Sequence, residues 1–315
     1  MKLIQILNRH PYVSALVVVT CCVGGLVSAQ AAGEERFASK DEAIKALTTA
    51  ATEKDTNALD TIFGPSVREL ASPDPVQASN GLVHFSQRIS EKVAPVNKSD
   101  SCVELDLGQD AWPFPVPLVQ QDGKWFFDTE AGKEEILNRR IGRDELNTIA
   151  VCRGYVEAQR DYSSECHNSE GVLEFAQRLR SAPDKHDGLY WHAEPGEAPS
   201  PLGPLIAEAR GEGYTHVSTM LQDEQAPYQG YYFKVLTRQG PHAPAGKYNY
   251  IINGHMIAGF ALVAWPAEWG NTGVMTFIVN QQGKVYQKNL GPKTFAIASK
   301  MTTYDPDPGW TPAVE

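Results

Sequence analysis

A glutamate flanked by two tryptophans is the first place to look for chemistry in this sequence. Glu268 lies between Trp265 and Trp269, and an aromatic-walled cleft would place such a carboxylate beside a bound sugar. Glycoside hydrolysis needs two facing carboxyl groups, and the sequence identifies no partner for Glu268. A turn with packed tryptophans explains the same residues and is favoured. Glu268 is thus a candidate acid–base residue, and the candidate ligand-binding residues are Trp191, Trp265 and Trp269.

A polar segment from Asp161 to Glu174 contains oxygen ligands of the kind that calcium takes. Gly171 is followed three residues later by a carboxylate, but Cys166 and His167 stand where a calcium loop has Asp or Asn. An ordinary turn between helices accounts for the same segment and is preferred. The candidate metal ligands are Asp161, Asn168, Glu170 and Glu174.

Other signs of catalysis or cofactor binding are weak. His186 and His192 lie six residues apart beside Asp184 and Asp187, a spacing that neither a helix face nor a strand face imposes. Solvated loop histidines are the preferred interpretation. The sequence has no G-x-S-x-G, H-E-x-x-H, P-loop or dinucleotide-binding pattern. We therefore expect no cofactor and assign no catalytic residue.

The N-terminus has the pattern of a secretory signal peptide. Lys2 and Arg9 precede an apolar stretch from Val13 to Val27, and Ala29-Gln30-Ala31 fits a small-x-small cleavage site. A membrane anchor is disfavoured because spanning a bilayer takes about 20 apolar residues. A lipoprotein is disfavoured because Thr20 and Cys21 replace the small residue expected before a lipidated cysteine. The expected location is the periplasm or the medium.

Charge limits the partners of the mature chain. Removing residues 1–31 leaves 26 Lys and Arg against 38 Asp and Glu, a formal charge of −12. This balance argues against nucleic acid or an anionic membrane as the main partner. The partner is otherwise unknown. The chain is expected to be a monomer and, once cleaved, not an integral membrane protein.

The first half of the mature chain predicts helices followed by an antiparallel sheet. Ser39 and Glu42 form a capping box for one of two short helices over 37–63, which Gly64-Pro65 ends. A further helix is predicted over 76–93 and a strand over 102–107. Alternate prolines in 112–118 indicate an edge or half-paired strand. Asp122-Gly123 indicates a hairpin. This order is similar to the nuclear-transport-factor-2-like fold.

The second half predicts a long helix followed by strands. The helix covers 133–162, with a break possible at Gly142, and its core stripe consists of Val151, Tyr155, Ala158 and Tyr162. Residues 195–204 form an irregular cover or linker. The predicted strands cover 231–236, 248–252, 257–265, 274–279 and 285–288, and a closing helix covers 292–301.

Three cysteines remain after cleavage, so one disulfide is possible. Helical spacing separates Cys152 from the end of the long helix, near Cys166, by roughly 15 Å, which is too far for a direct bridge. We expect Cys152 to be reduced and buried, and any bridge to join Cys102 to Cys166.

Six motifs in order carry a resemblance to a known family. They are Trp112-Pro-Phe-Pro-Val-Pro-Leu118, the segment from Glu134 to Arg143, Asp187-Gly-Leu-Tyr-Trp191, Pro199-Ser-Pro-Leu-Gly-Pro204, Gly230-Tyr-Tyr-Phe233 and Gly259-Phe-Ala-Leu-Val-Ala-Trp-Pro266. This set resembles the bacterial exported family known as domain of unknown function 2950. The resemblance implies export and attaches no activity.

A second resemblance concerns the second half alone. The helix from Ile149 to Tyr162, Gly171, the strand at Gly230-Tyr-Tyr-Phe, the segment from Ala264 to Gly273 and Phe277-x-Val-x-x-x-Gly resemble the globular head of type IV pilins. True pilins begin this helix with an apolar assembly segment, whereas the charged segment Lys133–Asp144 stands here. The resemblance implies a pilin-like head that does not polymerise.

Together these patterns predict an α+β protein in two parts. Residues 35–130 form a small helix-plus-sheet domain, and residues 131–315 form a long helix packed on an antiparallel sheet, which is expected to fold alone. The predicted function is a non-catalytic binding or envelope-associated protein. The alternative is a hydrolase acting on cell-wall or extracellular saccharide. Carboxylates around one cleft would favour the enzyme, and an exposed aromatic patch would favour the binder.

Overall fold

Helices open the described part of the chain, and side-chain caps set where they begin. The computed structural model describes residues 33–193, 196–214 and 226–314, so the predicted signal peptide lies outside the described residues. Helix α1 (Lys40–Glu53) follows Ser39, whose hydroxyl accepts a hydrogen bond from the Glu42 amide at 3.2 Å. The Glu42 carboxylate accepts from the Ala38 amide at 3.0 Å. The predicted capping box thus forms, with its return bond shifted by one residue.

Two more helices complete the first layer. Helix α2 (Thr56–Phe63) ends at Gly64, and a 3₁₀ helix (Pro65–Leu70) follows, as the Gly-Pro pair predicts. Helix α3 (Pro75–Glu91) is capped by Asp74, whose carboxylate accepts from the amides of Val76 and Gln77. These helices cover one antiparallel sheet and enclose the first hydrophobic core.

That sheet contains β1 (Val93–Ser99), β2 (Cys102–Leu107), β3 (Trp112–Pro113), β4 (Leu118–Gln121) and β5 (Lys124–Phe127). The strand order is β1-β2-β4-β5, and β3 pairs with the end of β2. In the proline-rich segment 112–118, Trp112 and Pro113 pair with β2, residues 114–117 belong to no strand, and Leu118 begins β4, which confirms the half-paired prediction. Asp122 and Gly123 both have positive φ and close the predicted β4–β5 hairpin.

One 34-residue helix, α4 (Thr129–Tyr162), connects the two halves. It begins four residues before the predicted start because the Asp128 carboxylate caps the Ala131 amide at 3.0 Å. The possible break at Gly142 is absent. A single glycine costs a helix only about 1 kcal/mol, and the long helix continues through it. The predicted stripe is confirmed as core: Tyr155, Ala158 and Tyr162 are buried, and Val151 packs against the same core.

The second half is built on a five-stranded antiparallel sheet. Its strands are β6 (Tyr231–Leu236), β11 (Ala261–Pro266), β12 (Met275–Asn280), β13 (Tyr286–Asn289) and β15 (Thr311–Pro312), in the order β15-β13-β12-β11-β6. Helix α4 packs on β11 and β12. The α+β class and the long helix on an antiparallel sheet are therefore confirmed.

Shorter elements complete this half. They are α5 (Gly203–Gly211), β7 (Arg238–Gln239), β8 (Tyr248–Asn249), β9 (Ile251–Ile252), β10 (His255–Met256), α6 (Thr294–Ala298) and β14 (Thr303–Tyr304). A 3₁₀ turn (Gly291–Lys293) precedes α6, so the predicted closing helix is shorter and divided.

Several predicted boundaries in this half were wrong. The predicted strand 248–252 divides between β8 and β9, which belong to different sheets. The predicted strand 257–265 starts only at Ala261, after Gly259 with a φ of 146°. The irregular segment ends earlier than predicted, because Gly203 and Pro204 form the first turn of α5, where proline is tolerated. Pro195 lies outside the described residues.

Two hydrophobic cores share helix α4. Ile136 packs against the first core, whereas the residues from Ile149 to Tyr162 belong to the second. Contacts nevertheless group the described residues, which begin at Gly33, into one compact unit. Independent folding of residues 131–315 remains a prediction. Within the described residues, no helix is both long enough and apolar enough to cross a membrane.

The three cysteines of the described residues are all unpaired. Cys152 is fully buried on α4, as predicted, and burial raises the pKa of its thiol to about 12. It is therefore a protonated core residue at neutral pH. Cys102 is half-buried in the first sheet, and Cys166 is exposed.

Two glycines of α4 provide a matched test of this packing. A Cβ on Gly132 would lie 2.8 Å from the Pro115 carbonyl oxygen, whereas a Cβ on Gly142 would meet no atom within 4 Å. We expect Gly142→Ala to raise the free energy of unfolding by about 0.5–1 kcal/mol. Gly132→Ala should lower it by about 1–3 kcal/mol. Urea unfolding monitored by circular dichroism measures both, and changes of the same sign would contradict the packing.

Candidate binding pocket

An apolar pocket lies between α4, α5 and the five-stranded sheet of the second half. Its closed interior has a volume of only about 30 Å³, and the whole depression, open solvent included, measures about 480 Å³. Helix α4 contributes Val151 and Tyr155. The remaining lining residues are Leu179, Leu202, Leu205, Ile206, Ala209, Tyr228, Phe233 and Leu262. Every one of these side chains is aliphatic or aromatic, which suits an uncharged ligand or part of one.

Local sequence explains how α5 forms the outer wall. Leu202, Leu205, Ile206 and Ala209 recur at intervals of three, one and three, so they lie along one face of the helix. Ile206 and Ala209 are buried, while Ala207 and Glu208 on the other face are exposed. The helix thus presents its apolar face to the pocket.

Hydrogen bonds attach both ends of α5 to the protein. Before the helix, the Leu202 amide donates to the Leu189 carbonyl at 2.9 Å. Near its end, the Arg210 guanidinium donates to the Tyr190 hydroxyl at 2.8 Å. After the helix, the Asn80 side chain donates to the Glu212 carbonyl at 2.8 Å. These bonds hold the wall in place while the pocket itself stays apolar.

The tyrosines of the pocket are poor proton donors and acceptors for catalysis. The Tyr155 hydroxyl donates to the Ala261 carbonyl at 3.1 Å and accepts from Gln159 at 2.9 Å. Burial raises the pKa of Tyr155 well above its usual range. Burial also raises the pKa of Tyr228, and Glu212 and Glu208 add to this. Both phenols are therefore neutral at physiological pH.

The three candidate tryptophans have different surroundings. Trp265 is fully buried and packs against Tyr232 and Phe295. Trp269 is 39% exposed, and its indole N–H donates to the Asn289 side chain at 3.0 Å. Trp191 is half-buried and stacks on His186 at 4.2 Å between ring centroids. None of the three lines the apolar pocket.

Glu268 lies in the turn between β11 and β12. Its carboxylate accepts a hydrogen bond from the Asn271 side chain at 2.8 Å, and its amide donates to the Thr272 hydroxyl at 3.1 Å. Asn271 in turn accepts a hydrogen bond from Arg140 on α4. These contacts stabilise the turn and connect it to α4. A turn at this place is the interpretation that the sequence favours over an acid–base site.

The candidate calcium segment is bonded within the protein. Asn168 donates to Glu174 at 2.7 Å, and its own side-chain oxygen accepts from the amides of Glu170 and Val172. Asp161 takes part in this bonding through its backbone carbonyl oxygen, which accepts a hydrogen bond from the Ser164 hydroxyl. Among the described residues, no group of three or more His, Cys, Asp or Glu side chains is arranged to hold a metal ion.

His255 is the residue that the sequence did not connect with this segment. Its Nε2 lies 3.1 Å from Glu170, and its Nδ1 lies 3.2 Å from Glu174. The two carboxylates contact opposite ring nitrogens, so they do not converge on one point. Both glutamates raise the pKa of His255, Glu170 foremost. The arrangement joins the segment to the β9–β10 hairpin.

The fold and the pocket define an α+β protein with a long central helix and an apolar cavity beside it. The chain belongs to the family described as a protein of unknown function, DUF2950, which matches residues 34–313. The family resemblance expected from the six motifs is thereby confirmed. No curated protein and no solved structure matches the chain. The resemblances to pilin heads and to the nuclear-transport-factor-2-like fold remain predictions.

Proposed function

We propose that this protein is an exported, non-catalytic binding protein whose pocket beside α5 holds a small apolar molecule or the apolar part of a larger one. The observation that carries the proposal is the pocket lining, in which all ten side chains are hydrophobic or aromatic. An apolar ligand that contacts this lining removes apolar surface from water, which favours binding.

The same lining argues against catalysis in this pocket. The described residues that line it include no carboxylate, imidazole, thiol, amine or aliphatic hydroxyl. Its two phenols keep their protons at physiological pH, because burial raises the pKa of each. A general acid or base needs a pKa near the working pH. Binding without bond cleavage is therefore the function that this geometry supports best.

The saccharide hydrolase is the weaker alternative. It would use Glu268, which hydrogen-bonds with Asn271 and Thr272 in its own turn. A hydrolase would need a second carboxyl group facing Glu268 across a cleft. Glu268 does not line the apolar pocket. The lining of the pocket therefore supports a binding protein and not this enzyme.

Ligand binding can be tested with N-phenyl-1-naphthylamine, an uncharged apolar fluorophore. Because the pocket excludes charge, we expect saturable fluorescence enhancement with a dissociation constant in the range of about 1–10 µM. Ala209→Leu adds three carbons to the pocket wall and should weaken binding by about tenfold or more. Titration at constant protein concentration measures both values.

Ala207→Leu is the matched control, because Ala207 lies on the exposed face of the same helix. It should bind the fluorophore as the unchanged protein does. Absence of saturable binding to the unchanged protein would refute the proposed pocket. Equal weakening by both substitutions would show that the fluorophore binds elsewhere.

Export rests on the signal-peptide pattern of residues 1–31. Expressed with its own leader in a Gram-negative host, the protein should be recovered from the periplasm or the medium. N-terminal sequencing should begin near Ala32. A chain that lacks residues 2–31 serves as the control and should stay in the cytoplasm. Recovery of the full-length protein from the cytoplasm or the inner membrane would contradict export.

A further inference from the structure

Asp144 is a carboxylate in the interior, at the place where the two halves of the protein meet. It lies on α4 between Ile136 of the first core and Ile149 of the second. Its side chain is 0% exposed. Buried carboxylates are rare unless they are paired, so its surroundings are informative.

The two oxygens of Asp144 have different environments. Oδ1 accepts hydrogen bonds from Gln77 of α3 at 3.0 Å and from Arg143 at 3.1 Å. Oδ2 is buried and has no hydrogen-bond partner among the described residues. A Cβ on Gly230 would lie 2.9 Å from Oδ2 and 2.9 Å from Thr272. Oδ2 is therefore enclosed by the start of β6 and the β11–β12 turn.

The charged neighbours neutralise Asp144 only in part. Arg143 is 55% exposed. The Arg140 guanidinium donates to the carbonyls of Leu70 and Ala71 and to Asn271. The Glu145 carboxylate accepts from the amides of Val274 and Met275 at 2.8 and 2.9 Å. Asp74 lies at the start of α3, Glu268 in the turn and Tyr231 on β6. The other titratable groups of these elements are His84, Arg88 and Glu91 on α3 and Tyr232 and Lys234 on β6.

We propose that Asp144 is a protonation switch that controls how tightly α3, α4, the start of β6 and the β11–β12 turn are held together. When the carboxyl group is neutral, its buried oxygen carries no charge, and burying it among the four segments costs much less free energy than burying the ionised form. When it is ionised, Oδ2 is a charged acceptor without a donor, and the joint is weakened.

Electrostatics support this assignment. Burial raises the pKa of Asp144 from 3.8 to about 6, although Arg143, Gln77 and Arg140 act in the opposite direction. A carboxyl group whose pKa is higher in the folded than in the unfolded state lowers the free energy of unfolding at a pH where it is ionised in both states. The stabilisation on protonation therefore appears as the pH falls through about 6 and is complete below the unfolded pKa. The folding equilibrium constant should change by up to about a hundredfold from this group.

The experiment compares the unchanged protein with Asp144→Asn, which mimics the neutral carboxyl. Urea unfolding between pH 4.5 and 8 should show that the substitution raises stability at pH 8 and makes the pH dependence shallower. Asp100→Asn removes one negative charge from an exposed turn and should leave the pH dependence unchanged. An unaltered pH dependence in Asp144→Asn would overturn the proposal.

A direct measurement covers the case in which Asp144→Asn does not fold. The ¹³C carboxyl shift of Asp144 in the unchanged protein should titrate with a midpoint near 6. Amide exchange at Gln77, Gly230 and Thr272, corrected for the intrinsic rate, should slow as the pH falls through that midpoint. A midpoint near 4, the usual value for aspartate, would refute the switch. Amide exchange rates at these positions that stay constant while the carboxyl group titrates would also refute the switch.

Discussion

Replacing Trp265 with alanine should lower the free energy of unfolding by about 3–5 kcal/mol. Trp265 is fully buried on β11, where its ring packs against Tyr232 at 5.8 Å and Phe295 at 6.4 Å between centroids. Removing the indole leaves a large cavity that rigid neighbouring strands cannot fill. Urea unfolding followed by tryptophan fluorescence and circular dichroism provides the measurement.

Trp269 is the control for this substitution. It is 39% exposed and lies only four residues away, so Trp269→Ala should cost less than about 1 kcal/mol. The pair also tests which tryptophan is available to a ligand, since a buried indole cannot stack on one. Similar losses for both substitutions would contradict the burial described here.

Replacing Arg140 with alanine should lower the free energy of unfolding by about 3 kcal/mol. Arg140 is 9% exposed, and its guanidinium donates to the Leu70 and Ala71 carbonyls and to Asn271. Its loss would leave three acceptors without this donor at the place where the 3₁₀ helix, α4 and the β11–β12 turn meet. Thermal and urea unfolding should both show the decrease.

Arg160 on the same helix provides the comparison. It forms an exposed ion pair with Glu157 at 2.7 Å, and such pairs contribute about 0–1 kcal/mol. Arg160→Ala should therefore have little effect. If Arg140→Ala were equally mild, the guanidinium would not be holding the three segments together.

Local signals predicted much of the fold. Ser39 with Glu42, Gly64-Pro65 and Asp122-Gly123 each act within a few residues, and the helix cap, helix end and hairpin that they predict are all present. The stripe on α4 is equally local, because its four members share one face of one helix. Such features depend on neighbouring residues and are visible before any tertiary contact is known.

Features that depend on distant contacts were not predicted. Helix α5 was missed although Leu202, Leu205, Ile206 and Ala209 have helical spacing, because the preceding prolines suggested an irregular segment. The apolar pocket needs this helix beside Val151 and Phe233, which come from other parts of the chain. The burial of Asp144 likewise depends on Gln77 and Gly230, which lie 67 residues before and 86 residues after it.

Helix α4 runs without a break through both cores. The number of residues between its two buried faces therefore fixes the angle between those faces around the helix axis. Each residue of an α-helix turns the chain by about 100°. Inserting one residue near Gly142 would therefore turn the Ile149–Tyr162 face away from the second sheet while Ile136 stayed in the first core. An insertion of seven residues would restore the angle to within about 20° but would move the two faces roughly 10 Å apart along the axis. Members of this family are thus expected to keep a constant helix length between the two faces.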